Sequence, residues 1–329
     1  MTMRRWLLPE SIDDVLPAEA AQLEALRRRL LDHFAARGYR LVRPPLVEHL
    51  ESLLTGSGRD LELLTFKTVD PQSGRLVGIR ADITPQVARI DAHLLNESGA
   101  TRLCYAGSVL RAVAEGPRAA REVLQVGCEL FGVPGIEGDR EVIELLVSSL
   151  AAAGLRDLHL DLGHMGVYRA LASAAGIASN GDDSALYDAL RTKNLDEVRA
   201  LTRDVATPWR EAIESLPTLY GPADVVLDEA REKLPPTQGI GDALASLDAL
   251  AREAAALDVA LHIDLADLRG YHYHNGAIFS VFTAGEPNAI AKGGRYDGIG
   301  KAFGRARPAT GFTLDLRQLA GVLARAEPK

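Results

Sequence analysis

Cysteine is nearly absent from this sequence: Cys104 and Cys128 are the only two in 329 residues. Both fall in stretches that read as buried strands, so small apolar filler suits them better than a disulfide. Two thiols are too few for a thiolate metal site, and no metal is expected. Positive charge is in deficit as well. Lys and Arg number 37 against 45 Asp and Glu, a formal net charge of -8 with a pI near 5.6. A surface that follows a nucleic-acid backbone is usually basic, so no nucleic-acid partner is expected. Long apolar runs are missing, which leaves no candidate for a membrane-spanning helix. The opening MTMRRWLLPES has basic residues but no sustained apolar stretch and no small-residue cleavage site. No signal peptide is therefore expected, and the cytoplasm is the expected compartment. What is present, 47% hydrophobic and 25% charged residues, suits a soluble globular chain of one large domain or two moderate ones.

The most informative stretch is 105–131, YAGSVLRAVAEGPRAAREVLQVGCELF. It reads as two antiparallel strands joined by a polar, Arg-rich loop. Side chains two apart on a strand share a face. Tyr105, Gly107, Val109 and Arg111 therefore line up, as do Arg121, Val123, Gln125, Gly127 and Glu129. Leu124, Val126, Cys128 and Leu130 turn to the buried side. One face thus carries an amide and a carboxylate on either side of a glycine, with apparent open space between them and the Arg111 guanidinium at the loop end. Such a floor has the polarity for a small zwitterion, because a carboxylate binds an ammonium and an Arg binds a carboxylate. An ordinary hairpin with a solvated outer face fits the same spacing.

The rest of the chain reads as follows. An extended arm over 1–17 leads into a helix with Leu23, Leu26, Leu30 and Phe34 at helical spacing, ended by Gly38. A short strand over 39–42 breaks at Pro44-Pro45, and PPLVEHLESLL is predicted to be a helix. LLTFKTVDPQSGRLVGIR reads as a hairpin around DPQSG. Its second strand is predicted to continue through Arg80, Asp82 and Thr84 on one face until Pro85 stops it, followed by a helix over 86–95. Asp82 and Thr84 could line a pocket or cap that helix.

A helix over 139–153 and a strand over 157–162 come next. Residues 165–256 are Ala- and Leu-rich with helical periodicity, and read as a helical insertion between strands of one sheet. Strands over 260–264 and 276–283 flank a polar cluster containing Arg269, Tyr271, His272, Tyr273 and His274. Two His two apart on a strand can share a metal, but a third ligand is wanting, and walls of a small-molecule site suit the cluster better. AKGGRYDG reads as a tight turn into a helix that could cradle an anion. The last segment, 309–323, reads as a strand bending into a closing helix.

These motifs resemble the catalytic core of class II aminoacyl-tRNA synthetases, and within that class histidyl-tRNA synthetase, over nearly the whole of residues 1–329. PESIDDVLP is similar to the opening of that enzyme, the hairpin 105–131 to the second class motif, and GFTLDLRQL to the third. LRGYHYHNGAIF and GGRYDG are similar to two signatures peculiar to the histidine-specific enzymes. The resemblance implies an α+β fold: a class II synthetase-like antiparallel sheet flanked by helices, with a helical insertion, in a dimer. It also implies that Asp82, Thr84, Gln125, Glu129 and Tyr273 bind histidine, with Arg111 near its carboxylate or a phosphate, and Arg269 kept from the histidine signature.

The departures bear on activity. The second motif of the synthetase carries Phe-Arg-x-Glu, whereas this chain has Leu110-Arg111-Ala112-Val113, and Val113 replaces a glutamate that helps hold ATP. The third motif of the synthetase ends Gly-Leu-Glu-Arg; here it reads Asp315-Leu316-Arg317-Gln318. A neutral amide cannot neutralise a triphosphate as a guanidinium does. His272 and His274 replace the Asp and second Tyr of the histidine signature. An anticodon-binding domain is not expected. Kept pocket and lost nucleotide contacts together resemble the regulatory subunits of ATP phosphoribosyltransferase, synthetase paralogues of histidine biosynthesis. That resemblance implies no catalytic residues and no cofactor. It implies free histidine as effector, and a homodimer within a hetero-oligomer with the short-form catalytic subunit.

Overall fold

The computed structural model describes residues 7–56, 59–114, 119–177, 184–268 and 273–326. Of the signature residues, Arg269, Gly270, Tyr271 and His272 lie outside them.

The N-terminal helix α1 (Pro17–Ala36) buries Leu23, Leu26, Leu30 and Phe34, as its spacing predicts. Gly38, at φ +81, turns the chain into β1 (Arg40–Leu41). The next segment departs from the sequence expectation. PPLVEHLESLL begins as strand β2 (Val47–His49) and becomes helical only in the single turn α2 (Leu50–Leu53). Val47 and His49 pair with β4, so the sheet partner overrides local helix propensity. A short helix α3 (Arg59–Leu64), not read from the sequence, precedes the hairpin β3 (Phe66–Val69) and β4 (Leu76–Ile79). Strands β2, β4 and β3 make a small antiparallel sheet.

A second correction concerns residues 80–84. The strand stops at Ile79, and Thr84-Pro85 are the first residues of α4 (Thr84–Arg89), which runs on as a π-helical turn, Ile90–Leu95. Pro85 begins a helix rather than ending a strand; its fixed φ and missing N–H suit the first turn.

The hairpin β5 (Thr101–Leu110) and β6 (Glu122–Phe131) forms as predicted. It is followed by α5 (Gly135–Ala153), closed by Gly154 at φ +107, and by β7 (Leu158–His164). The predicted insertion is mostly helical. It contains α6 (Met165–Ala174), α7 (Ser184–Arg191), α8 (Leu195–Thr202), α9 (Trp209–Ser215), α10 (Ala223–Lys233) and α11 (Gln238–Ala254). It also supplies the edge strand β8 (Tyr220–Pro222). Then come β9 (Val259–Asp264), β10 (Ala277–Thr283), β11 (Ala291–Arg295), β12 (Ala309–Asp315) and α12 (Leu316–Ala326). Gly293 and Gly294 lie inside β11, so the tight turn and anion cradle read into AKGGRYDG are not there. Side chains at these two positions would strike the Phe279 ring and the His274 imidazole.

The main sheet, nine strands among the described residues, has the order β1-β5-β6-β12-β11-β10-β7-β9-β8. It is antiparallel apart from β1–β5 and β7–β9. A parallel pair needs a crossover, and the helical segment α6–α11 provides the one from β7 to β9. The two faces of this sheet differ sharply. One presents Val126, Cys128, Leu130, Phe312, Leu314, Leu160, Leu162, Phe279 and Val281, all buried in the main core. Helices α1, α5 and α12 pack against it, and Phe34 meets Phe312 edge to face at 5.9 Å. Cys104 and Cys128 are register partners on this side, both buried and unbridged. The opposite face is the polar one. From β6 to β9 its successive register partners are Gly127, Thr313, Lys292, Ser280, Asp161 and His262.

Candidate functional site

The site is built on the polar face where β5 and β6 meet the start of α4. Glu129 is its floor. The residue is 1% exposed, and its carboxyl accepts a hydrogen bond from the Tyr105 hydroxyl at 3.2 Å and another from the Tyr296 hydroxyl. Tyr105 in turn meets the Thr84 hydroxyl at 3.2 Å. Burial pushes the Glu129 carboxyl up to about 8 against the pull of these hydroxyls, and the nearby Asp82 charge pushes the same way. Near neutral pH burial therefore holds this carboxyl largely in its protonated form.

Two glycines make that placement possible. The space over Gly127 is not open, as the sequence suggested: the Tyr105 ring crosses it, and a Cβ there would collide with the phenol and with the Phe312 carbonyl. The room that the sequence assigned to a ligand is used to bring a hydroxyl to Glu129. Gly311, the register partner of Glu129 on β12, leaves the space that the carboxyl itself fills.

Gln125 is 3% exposed and its Oε1 accepts the Ile83 backbone N–H at 3.0 Å, which ties the hairpin to the turn before α4. In that turn Asp82 Oδ1 accepts the Thr84 N–H at 3.3 Å. Asp82 therefore does not cap α4, whose N-cap is Ile83 without a side-chain hydrogen bond; its carboxylate braces the turn before the helix, and its charge reaches Glu129, Tyr105 and Tyr273. Arg80, expected on the same strand face, follows another course. Its guanidinium donates to the Ser108 and Pro44 carbonyls, each at 2.8 Å, and is 7% exposed.

Tyr273 closes one side. Its ring stacks on Tyr296 with centroids 4.8 Å apart and meets His274 edge to face at 5.1 Å. Its hydroxyl is buried and finds no hydrogen-bond partner among the described residues. A buried phenol without a partner costs on the order of 1–3 kcal/mol, which a polar ligand would recover.

The structure therefore gathers Asp82, Thr84, Gln125, Glu129 and Tyr273 in one place. Arg111 is on the same face but at the mouth, four residues past the partner of Gln125, roughly 13 Å along the strand. There it favours the charged form of Asp315, whose carboxyl burial raises. Arg269 is outside the described residues. Tyr296, Asp315 and the Tyr105–Glu129 contact were not read as site features. Alternation along ATGFTLD, which puts Gly311, Thr313 and Asp315 on one face, was the available signal for Asp315. For Tyr296 the sequence held no signal beyond its motif.

A nine-stranded, largely antiparallel sheet with helices on its apolar face and a buried polar floor on the other defines a class II synthetase core. The family model described as histidyl-tRNA synthetase matches residues 11–319. Among solved structures, the chain is similar to an ATP phosphoribosyltransferase regulatory subunit/histidyl-tRNA synthetase from Bacillus halodurans. The TM-score is 0.86 at 26% identity, covering 97% of this chain and 83% of that one. It is also similar to a histidine–tRNA ligase subunit from Alicyclobacillus acidocaldarius, with TM-score 0.79, 28% identity and 98% of each chain covered. Among curated relatives, the ATP phosphoribosyltransferase regulatory subunit of Ralstonia pickettii is 57% identical over 96% of this chain and 81% of its own length. The chain belongs to this histidyl-tRNA synthetase-like family, among the ATP phosphoribosyltransferase regulatory subunits.

Proposed function

We propose that the polar face binds free histidine, and that the chain relays its occupancy to a short-form ATP phosphoribosyltransferase catalytic subunit without performing catalysis itself. Glu129 carries this reading. A carboxyl kept neutral by burial, ringed by three hydroxyls and an acidic neighbour, is poised to ionise against an ammonium or imidazolium group. Gln125 and Tyr273 supply neutral polar contacts, and Arg111 and Arg269 are the candidate carboxylate partners. The positions tied to nucleotide in the synthetase speak against ATP use. Val113 is 55% exposed and apolar, and the Gln318 amide rests against the Asn288 carbonyl at 3.5 Å. Ligand-linked bias of a partner needs only that histidine bind two states of the assembly unequally.

Leu46, Val47, Val69 and Leu76 are exposed on and beside the small sheet, and Leu7 and Leu8 on the N-terminal arm. Apolar groups in this number support pairing of two copies within the hetero-oligomer. The cytoplasm, where histidine is made, is the compartment this role requires.

The test is reconstitution with the catalytic subunit. Histidine should inhibit the wild-type complex. A complex with Glu129→Gln should assemble and lose that inhibition. Unchanged inhibition would remove Glu129 from the effector site, and histidine-dependent pyrophosphate exchange by this chain alone would restore the synthetase reading.

A further inference from the structure

The far half of the polar face carries a second cluster, independent of the histidine reading. Strand β7 turns Leu158, Leu160 and Leu162 into the core, which places His159 and Asp161 together on the polar side. Strand β9 runs parallel beside it, with His262 as the register partner of Asp161. The three side chains converge. His159 Nε2 lies 2.9 Å from Asp161 Oδ1, and the His159 and His262 rings meet edge to face at 4.1 Å. One ligand atom from each of the three lies within 4.8 Å of the other two.

The alignment of the groups points to something beyond an ion pair. Asp161 Oδ1 is shielded from solvent yet accepts no hydrogen bond from any described residue. Burial raises the Asp161 carboxyl, and His159 is the group that most favours its charged form against that burial. Three ligand atoms gathered within 4.8 Å of one another, two imidazole nitrogens and a carboxylate oxygen, are within reach of a single small ion. Asp264, the next acidic residue on this face of β9, is committed elsewhere: it pairs with Lys193 at 2.8 Å, and Lys193 sits 3.7 Å over the Tyr220 ring.

We propose that His159, Asp161 and His262 form a divalent-cation site of the imidazole-preferring kind, suited to Zn²⁺. Two neutral imidazoles and a carboxylate fill three positions of a tetrahedral ion, whose ligand atoms stand roughly 3.4 Å apart. Reaching that spacing takes only small rotamer shifts in half-buried side chains. The fourth position is left to water or a small ligand. A cleft of about 680 Å³, lined in part by Arg156, His159, Ala260 and Phe282, opens beside it. The ion would join β7 to β9, the strands at which the helical crossover leaves the sheet and returns to it, and so would clip the two ends of that segment together.

The test uses the untagged full chain, stripped with chelator and titrated with Co²⁺ and then Zn²⁺. One equivalent of Co²⁺ should give the intense visible bands of a tetrahedral ion, and Zn²⁺ should displace it. At a hundredfold excess over Kd, the metal should raise Tm by roughly 5 °C. His262→Gln and Asp161→Asn should each weaken binding at least about tenfold, while the exposed His93→Gln should leave it unchanged. The double variant Asp161→Asn/His262→Gln should abolish the bands, with circular dichroism to confirm its fold. Should the double variant fail to fold, the half-buried single His262→Gln decides. No stoichiometric binding by wild type, or binding that survives these substitutions, would overturn the proposal and leave the trio a plain ion-pair patch.

Discussion

At the residue scale the account rests on Glu129. Its folded value, about 8, lies above the 4.5 of an ordinary glutamate, so the native state holds an extra proton between those values. This contribution to stability is full below pH about 4.5 and is lost as pH rises towards about 8. Denaturant titrations between about pH 5 and 8 should show wild-type stability falling more steeply than that of Glu129→Gln, which keeps the shape but not the proton. Binding of a cationic ligand must expel the proton at neutral pH, so calorimetry in buffers of different ionisation enthalpy should detect proton release. Wild type should release it, and Glu129→Gln should not. Gly127→Ala is a second residue-scale prediction. Its methyl group has nowhere to go but into Tyr105 and the Phe312 carbonyl, so stability should fall by about 1–3 kcal/mol in urea. Displaced Tyr105 should also weaken ligand binding.

At the scale of elements, the strands with clean alternation and the helices with clean spacing were legible. Strand β6 and helix α1 formed where the sequence placed them, because each has one wholly apolar face; α5, expected from 139, begins four residues earlier at Gly135 and buries Asp139 and Ser149 among its apolar residues. The failures have local physical causes. The stretch around β2 is three residues long and is a strand only because β4 lies alongside it. Thr84 and Pro85 were read as a strand end, but they open α4, because a Pro in the first helical turn lacks only an N–H that would be unpaired there anyway. Gly293 and Gly294 suggested a turn, but serve the close approach of Phe279 and His274. A buried link beside Tyr296 is also out of sequence reach. Arg295, 156 positions from Asp139, pairs with it at 2.9 Å through side chains only 7% and 3% exposed, and also donates to the Gly135 carbonyl at 2.7 Å. Removing one member of such a pair strands the other charge. Arg295→Ala should therefore cost about 3–5 kcal/mol, read from the urea midpoint, and should loosen the stacked pair Tyr273–Tyr296.

At the scale of the molecule, one sheet separates two jobs. Its apolar face fixes the fold through a continuous core, and its polar face carries the candidate site residues. The sequence showed the membership of each face along the hairpin, since period-two alternation is local. It could not show that β12, β11, β10, β7 and β9 continue the same polar row, because that depends on strand order. Nor could it show that Tyr105 reaches back across Gly127 to Glu129, a contact set by register.

The most direct test is a calorimetric titration of the purified chain with histidine, with and without ATP, in parallel for wild type and Glu129→Gln. The account predicts stoichiometric binding to wild type that ATP does not alter, and a loss of about 10- to 150-fold in the variant, the range for a buried charge-assisted contact of about 1.5–3 kcal/mol. Equal affinity in the two proteins, or histidine binding that proceeds only with ATP and releases pyrophosphate, would contradict it.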